Sequence, residues 1–312
     1  MGAVGEADSV AAMRGVTGSW TPLRRAVALA GAVLIAAAGC GSAPEQQGST
    51  PTAEASQSPN WPSSMDGTRF RWSAAPDIDL LSGPAVPLRA YVESRELASK
   101  MMSITAAYPG FARAVPFPPW QPRMNSPAAY MPDEPTPYDL RFKDTRLFGN
   151  DNYRIMAITP QGNGLRAVVC LYRPYRYALT EDGRYKLFGY EDGKPHTAPY
   201  MLSAVDFTQE DPRHGPNPPP NPTVPQEGPL PAPVDDVFGD WVFTALSGSS
   251  LSWWINNGET TTETPPEYHV LLQRCIAEMP VPEDQRADVV APYRDTPPPT
   301  LPAYPGWPAR AQ

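Results

Sequence analysis

Asn152-Tyr153-Arg154-Ile155-Met156-Ala157-Ile158-Thr159 and Leu165-Arg166-Ala167-Val168-Val169-Cys170-Leu171-Tyr172, joined by Pro160-Gln161-Gly162-Asn163-Gly164, decide the fold of this chain. The first run alternates, as a half-buried strand does, and the Gly/Asn cluster is hairpin chemistry. The second run is the most hydrophobic strand candidate in the sequence. Outward from this hairpin the pattern continues as a meander. Tyr175–Leu179 and Tyr185–Tyr190 flank the turn Glu181-Asp182-Gly183, and Tyr200–Phe207 follows a second turn at Glu191-Asp192-Gly193. Two Glu-Asp-Gly triplets ten residues apart suggest a metal-binding repeat, but a calcium loop needs further oxygen ligands at set spacing and none follow. Asp-Gly is also common hairpin-turn chemistry, so both are read as turns. Asp240–Leu246 and Leu251–Ile255 read as two more short strands about Ser247-Gly248-Ser249-Ser250.

Helical periodicity is found on both sides of this strand-rich block. Ala85–Thr105 follows Pro84 and carries Pro87, which suit a first turn whose N–H groups lack partners. Leu88, Tyr91, Val92, Arg95, Ala98, Met101 and Met102 fall on one face, with Glu93, Glu96 and Lys100 elsewhere. Pro109-Gly110 marks the stop. Thr264–Met279 is a second helix, with Tyr268, Leu271, Leu272, Cys275 and Ile276 as its buried face. The expected class is α+β: a curved antiparallel sheet of five or six strands, packed by an N-terminal and a C-terminal helix. A helix followed by a long antiparallel meander resembles the NTF2-like cone in element order, a likeness that carries no function.

Proline divides the rest. The chain has 42 prolines and 23 glycines in 312 residues, far above the ordinary share of proline. Residues 109–137 hold Phe111, Phe117, Trp120 and Tyr130 between prolines, which suits loops laid over the domain, or a Pro-rich partner ligand at Pro116–Pro122. Residues 211–233 hold ten prolines and no aromatic, which suits an exposed, polyproline-like insertion. One domain over 63–293 is expected, with a tether over 40–62 and a disordered Pro-rich tail over 294–312.

The N-terminus supplies an address. Arg24 and Arg25 precede Ala26–Ala38, thirteen residues without charge, which as a helix would rise roughly 20 Å, short of a membrane span. This is the pattern of a signal peptide over residues 1–39, with Met1 or Met13 as the start. Small residues lead directly into Cys40, and the stretch resembles the lipobox of bacterial lipoproteins, with Ala37 where leucine is commonest. The resemblance implies a thioether-linked diacylglyceryl group on Cys40, acyl chains such as palmitate, and attachment to the outer face of the cell membrane. The alternative is an ordinary cleaved signal that leaves Cys40 as a thiol. With its Pro-, Ala- and Trp-rich composition, the chain resembles the lipoproteins of mycobacteria and related actinobacteria. If lipid occupies Cys40, Cys170 and Cys275 remain. In an oxidising compartment a disulfide between them is expected, against two separately buried thiols.

The sequence points to no catalytic set, cofactor or metal site. Net charge is −8, and about −9 without residues 1–39, which argues against nucleic acid as a partner. His196, His214 and His269 are scattered, Ser247–Ser250 is not a nucleophile elbow, and Asp235, Asp236 and Asp240 read as a solvated cluster rather than a cation site. Trp241, Phe243, Trp253 and Trp254 suit either core packing or the wall of an apolar pocket. The expected function is a non-catalytic envelope lipoprotein that binds an apolar or glycan ligand or an envelope protein. The alternatives are an envelope hydrolase with dispersed catalytic residues and a passive, antigen-like surface protein.

Overall fold

The computed structural model describes residues 60–116, 127–128, 137–173, 175–188, 190–191, 194–195, 200–247, 266–286 and 290–310. The expected signal segment, Cys40 and most of the expected tether lie outside them, as do Phe117, Trp120, Tyr130, His196, Trp253, Trp254 and the strand expected at Leu251–Ile255.

The hairpin is the centre of the sheet. β2 (Leu147–Gln161) and β3 (Gly164–Tyr172) pair antiparallel from Asn152↔Tyr172 to Gln161↔Gly164, so Gly162 and Asn163 form a two-residue loop. Gly162 takes φ 56°, which the first central position of such a loop favours and only glycine adopts freely. β2 exceeds its expected span because two strands share one of its edges. β3 ends opposite Asn152, and the chain rejoins the same edge as β4 (Arg176–Leu179), paired with Leu147–Gly149. At this hand-over Gly149 has φ 110°, and a Cβ there would run into the Tyr175 carbonyl. The sheet forks from this point. β8 (Tyr200–Thr208) and β9 (Val242–Ser247) extend it from β3, whereas β5 (Tyr185–Leu187) and β10 (Tyr293–Arg294) extend it from β4. On the other edge of β2, β1 (Gly67–Ala74) runs parallel over eight residues. The result is an eight-stranded, curved and unclosed sheet, antiparallel except for that one pair. β6 (Tyr190–Glu191) and β7 (Lys194–Pro195) make a separate ribbon.

The α+β class is the one expected, with eight strands in place of five or six. Parallel β1–β2 pairing needs a crossover, and the long segment that carries α1 (Ala85–Met101), α2 (Phe111–Ala114) and α3 (Pro137–Asp144) supplies it. Strand alternation sorts the two faces. Phe70, Trp72, Tyr153, Ile155, Val169, Val205, Phe207 and Phe243 form the larger core with α1. Met156, Val168, Cys170, Tyr172, Leu202 and Ala204 form a second core with α4 (Pro266–Glu278). Cys170 and Cys275 are disulfide-bonded with Cα atoms 5.8 Å apart, which ties α4 to β3. The buried face of α4 is Tyr268, Leu271, Leu272 and Cys275. Ile276 was expected there but is 40% exposed, because the bond at Cys275 fixes the rotation of the helix.

Three further expectations are corrected. α1 ends at Met101, not Thr105: Met102 takes φ 51°, Ser103 N–H returns to the Ala98 carbonyl, and the Ser103 side chain accepts from Thr105 N–H to start a separate short turn. The second half of the 211–233 insertion is docked, with Gln226, Pro231, Ala232 and Pro233 buried. The tail expected to be disordered packs against the domain through residue 307. Tyr304 bridges to Arg71 on β1, Trp307 bridges to Leu230, and Trp307 is 1% exposed. Trp307, buried among the prolines of the tail, supplies the apolar area that orders it.

Candidate binding cleft

α1 was expected to turn Glu93 and Lys100 away from the core, yet each is 1% exposed. The docked insertion, the tail and α3 cover the sides of the helix that the sheet leaves open. Lys100 Nζ donates to the carbonyls of Phe142, Lys143 and Thr145, closing the C-terminal end of α3. Glu93 is the hub of a second cluster. It accepts from Trp72 Nε1 (2.6 Å), Tyr108 OH (2.7 Å) and Trp307 Nε1 (2.9 Å). Arg89, one turn earlier, lies 4.3 Å from the Trp307 ring centre and donates to the carbonyls of Leu80, Gln226 and Pro305. Burial pushes the Glu93 carboxyl up, against Arg89 and the three donors, and pushes Arg89 down to about 10. This cluster is closed to solvent and its carboxylate is fully hydrogen-bonded, so it holds the tail and offers nothing to a ligand.

A third cluster joins Glu96 on α1 to Arg173 and Arg176, with Arg176 also on the buried Asp151. Burial acts to raise the Glu96 carboxyl, but Arg173 and Arg176 overcome it and hold it at about 2. Its folded pKa is thus below the unfolded ~4.3, so its stabilisation is complete above that value and is lost as pH falls from about 4 towards 2. We expect the urea midpoint to drop between pH 5 and pH 2, and to drop less in Glu96→Gln. An unchanged acid limb in that variant would assign it to other carboxylates.

An open site lies at the end of β1. A cleft of about 630 Å³ is bounded by Arg71–Ala75 of β1, by the loop Ile78–Leu81, by Tyr304-Pro305 of the tail and by Met279-Pro280 after α4, with Asn152 and Tyr153 of β2 behind. Its walls combine apolar groups (Ile78, Leu80, Met279) with an exposed ring, since Tyr304 is 52% exposed. Asn152 is one of seven described residues with a buried polar atom that lacks a partner, and it borders the cleft. It is 5% exposed, and its Nδ2 has no hydrogen-bond partner among the described residues. A buried N–H group without a partner costs about 1–3 kcal/mol. Arg71, at the same cleft, donates to the Pro302 carbonyl (2.5 Å) and lies over the Tyr304 ring (5.7 Å). The cleft's own carboxylate, Asp79, already accepts from Leu81 N–H (2.9 Å) and Ser82 Oγ (2.5 Å), which hold its pKa down.

The residues singled out in the sequence do not assemble here. Asp236 pairs with Arg113 and Asp235 with Arg310, while Asp240 accepts from Gln209 and Asn221. His269 is exposed on α4 against the edge of Tyr268. Among the described residues no group of three His, Cys, Asp or Glu side chains could hold a metal ion. Trp241 and Phe243 belong to the core, where Phe243 stacks on Tyr91 (4.1 Å) and Phe207 (5.2 Å). Sequence reading missed Asn152, Arg71 and Tyr304. The one available signal was Asn152 itself, a strong hydrogen-bonding side chain in an otherwise apolar-rich run.

Among the described residues no helix is long and apolar enough to cross a membrane. Comparison with known protein families, curated proteins and solved structures finds no match, so function is argued from the site.

Proposed function

We propose that this chain is a non-catalytic lipoprotein of the bacterial cell envelope, anchored through Cys40, whose domain binds a ligand or partner in the cleft at the end of β1. The resemblance of residues 24–40 to a lipobox supports the anchor. The observation that carries the binding role is the cleft itself, where Asn152, with an Nδ2 that has no described partner, stands beside Arg71 and the exposed Tyr304 ring. The cleft's mixture of apolar wall, exposed ring and few convergent polar groups has the composition of a recognition site.

One experiment tests both parts. Full-length protein is extracted from membranes, and the molecules that leave it on denaturation are identified by mass spectrometry. Asn152→Leu removes the unpaired amide, so it should raise stability by about 1 kcal/mol while losing the bound material. Cys40→Ala should leave the membrane fraction while keeping its ligand. A less stable Asn152→Leu protein that retains its bound material would refute the binding role, and unchanged fractionation of Cys40→Ala would refute the anchor.

A further inference from the structure

The outer edge of β1 is only half used. Tyr304 N–H donates to the Phe70 carbonyl (3.2 Å), and Trp72 N–H donates to the Tyr304 carbonyl (2.6 Å). The next groups along that edge are the Trp72 carbonyl and the Ala74 N–H. Their direction is fixed by Ala75, which returns to the β2 side by donating to the Ile155 carbonyl (2.9 Å). No described backbone group pairs with either of them. The tail does not continue the ladder: the next residue that would face β1 in this parallel pairing is Gly306, and its carbonyl is turned to buried Arg89 (3.5 Å). Trp72, Ser73 and Ala74 line the cleft, so this unpaired edge is one of its walls.

Two other groups bound the same space. Asn152 stands behind the cleft with an Nδ2 that has no described partner, a polar group of the kind a peptide can complement. The Arg71 guanidinium has no carboxylate partner among the described residues; its bonds go to a carbonyl and an aromatic face. From this edge, this amide and this uncompensated cation we infer that the cleft takes an extended peptide of a partner protein. The peptide adds as a short strand to β1 at Trp72–Ala74, with an acidic side chain against Arg71. The inference rests on the cleft being the binding site proposed above. A lipid chain would leave the edge groups and the amide without partners. A peptide strand supplies carbonyl and N–H groups at the spacing of the ladder.

The test uses the full-length protein in detergent and a phage-displayed library of random octapeptides as the probe. Selection should enrich β-branched peptides with one Asp or Glu. At saturation such a peptide should slow amide exchange in the segment containing Ala74 at least tenfold. Peptides N-methylated at alternate residues should split by parity, one set losing binding at least tenfold and the other retaining it, as side-by-side strands require. Arg71→Gln should weaken binding about tenfold. Ala74→Pro, acceptable in a strand at an open edge, should abolish it, and the N-methyl series gives the same information without altering the protein. No enrichment, or enriched peptides that leave Ala74 exchange unchanged and bind equally in both N-methyl sets, would overturn strand addition. In that case a loss of native bound material in Asn152→Leu leaves the cleft as the binding site, whereas its retention removes that reading as well.

Discussion

Replacing Cys170 and Cys275 together by alanine lowers the stability of the folded domain by about 4–5 kcal/mol, the largest effect expected of any two-residue change here. The bond closes a loop with a sequence separation of 105 residues, and on the chain-entropy account the freedom it removes from the unfolded chain grows with the logarithm of that length. Both cysteines are fully buried in the smaller core between β3 and α4. On the helix side of that core, Tyr268, Leu271 and Leu272 are only partly buried, and His269 and Val270 face solvent. Without the crosslink α4 is held by this half-buried apolar face and the Arg154–Glu278 ion pair (3.1 Å). The double variant should therefore show faster amide exchange in α4 than in β2 and β3, besides a lower urea midpoint. Alanine at both positions separates crosslink from thiol chemistry, and reductant on the native chain should reproduce the loss. A change below about 1 kcal/mol by both routes would mean that packing, not the bond, holds α4.

Trp307→Ala should cost about 3–5 kcal/mol, the range for emptying a fully buried aromatic site. Trp307 is 1% exposed, its ring meets Tyr108 edge-on (6.1 Å) and lies under the Arg89 guanidinium, and its N–H is one of three donors on buried Glu93. The alanine variant leaves a cavity and also a buried carboxylate with one partner fewer. Trp307→Phe keeps most of the volume and loses the N–H, so it should cost less, about 1–3 kcal/mol, the penalty for a buried charged acceptor losing a donor. Equilibrium unfolding of the three proteins checks this order. If Trp307→Ala unfolds with the parent's midpoint, the tail is not seated as described. The variant should also free Tyr304 from the β1 edge, since only two residues separate it from the lost anchor.

The hairpin was legible in sequence because its signals are local: alternation in Asn152–Thr159, the Gly162-Asn163 turn and the apolar return run. The cysteine pair was legible from count and from the oxidising compartment that the lipobox-like stretch implies. What was not legible depends on partners distant in the chain. β1 pairs with β2 across the intervening helices, and nothing in Gly67–Ala74 encodes a parallel neighbour. Glu93 and Lys100 read as solvent-facing because helical periodicity sees one covering surface, whereas α1 is covered on several sides. Trp307 had a usable signal, an aromatic among prolines, which was applied to residues 109–137 and not to the tail. The cleft was invisible for the same reason as the tail, since Arg71, Asn152, Met279 and Tyr304 come from four separate stretches.

Trp307 donates to a carboxylate 214 residues earlier in the chain. During synthesis the helix carrying Glu93 is complete long before that donor exists, so the carboxylate cannot be desolvated at full hydrogen-bonding until the last stretch has been made. Docking of α1 onto its final neighbours is thus a late step with a large loop to close. Until then Glu93 lacks one of its three donors, and water has to stand in for the Trp307 N–H.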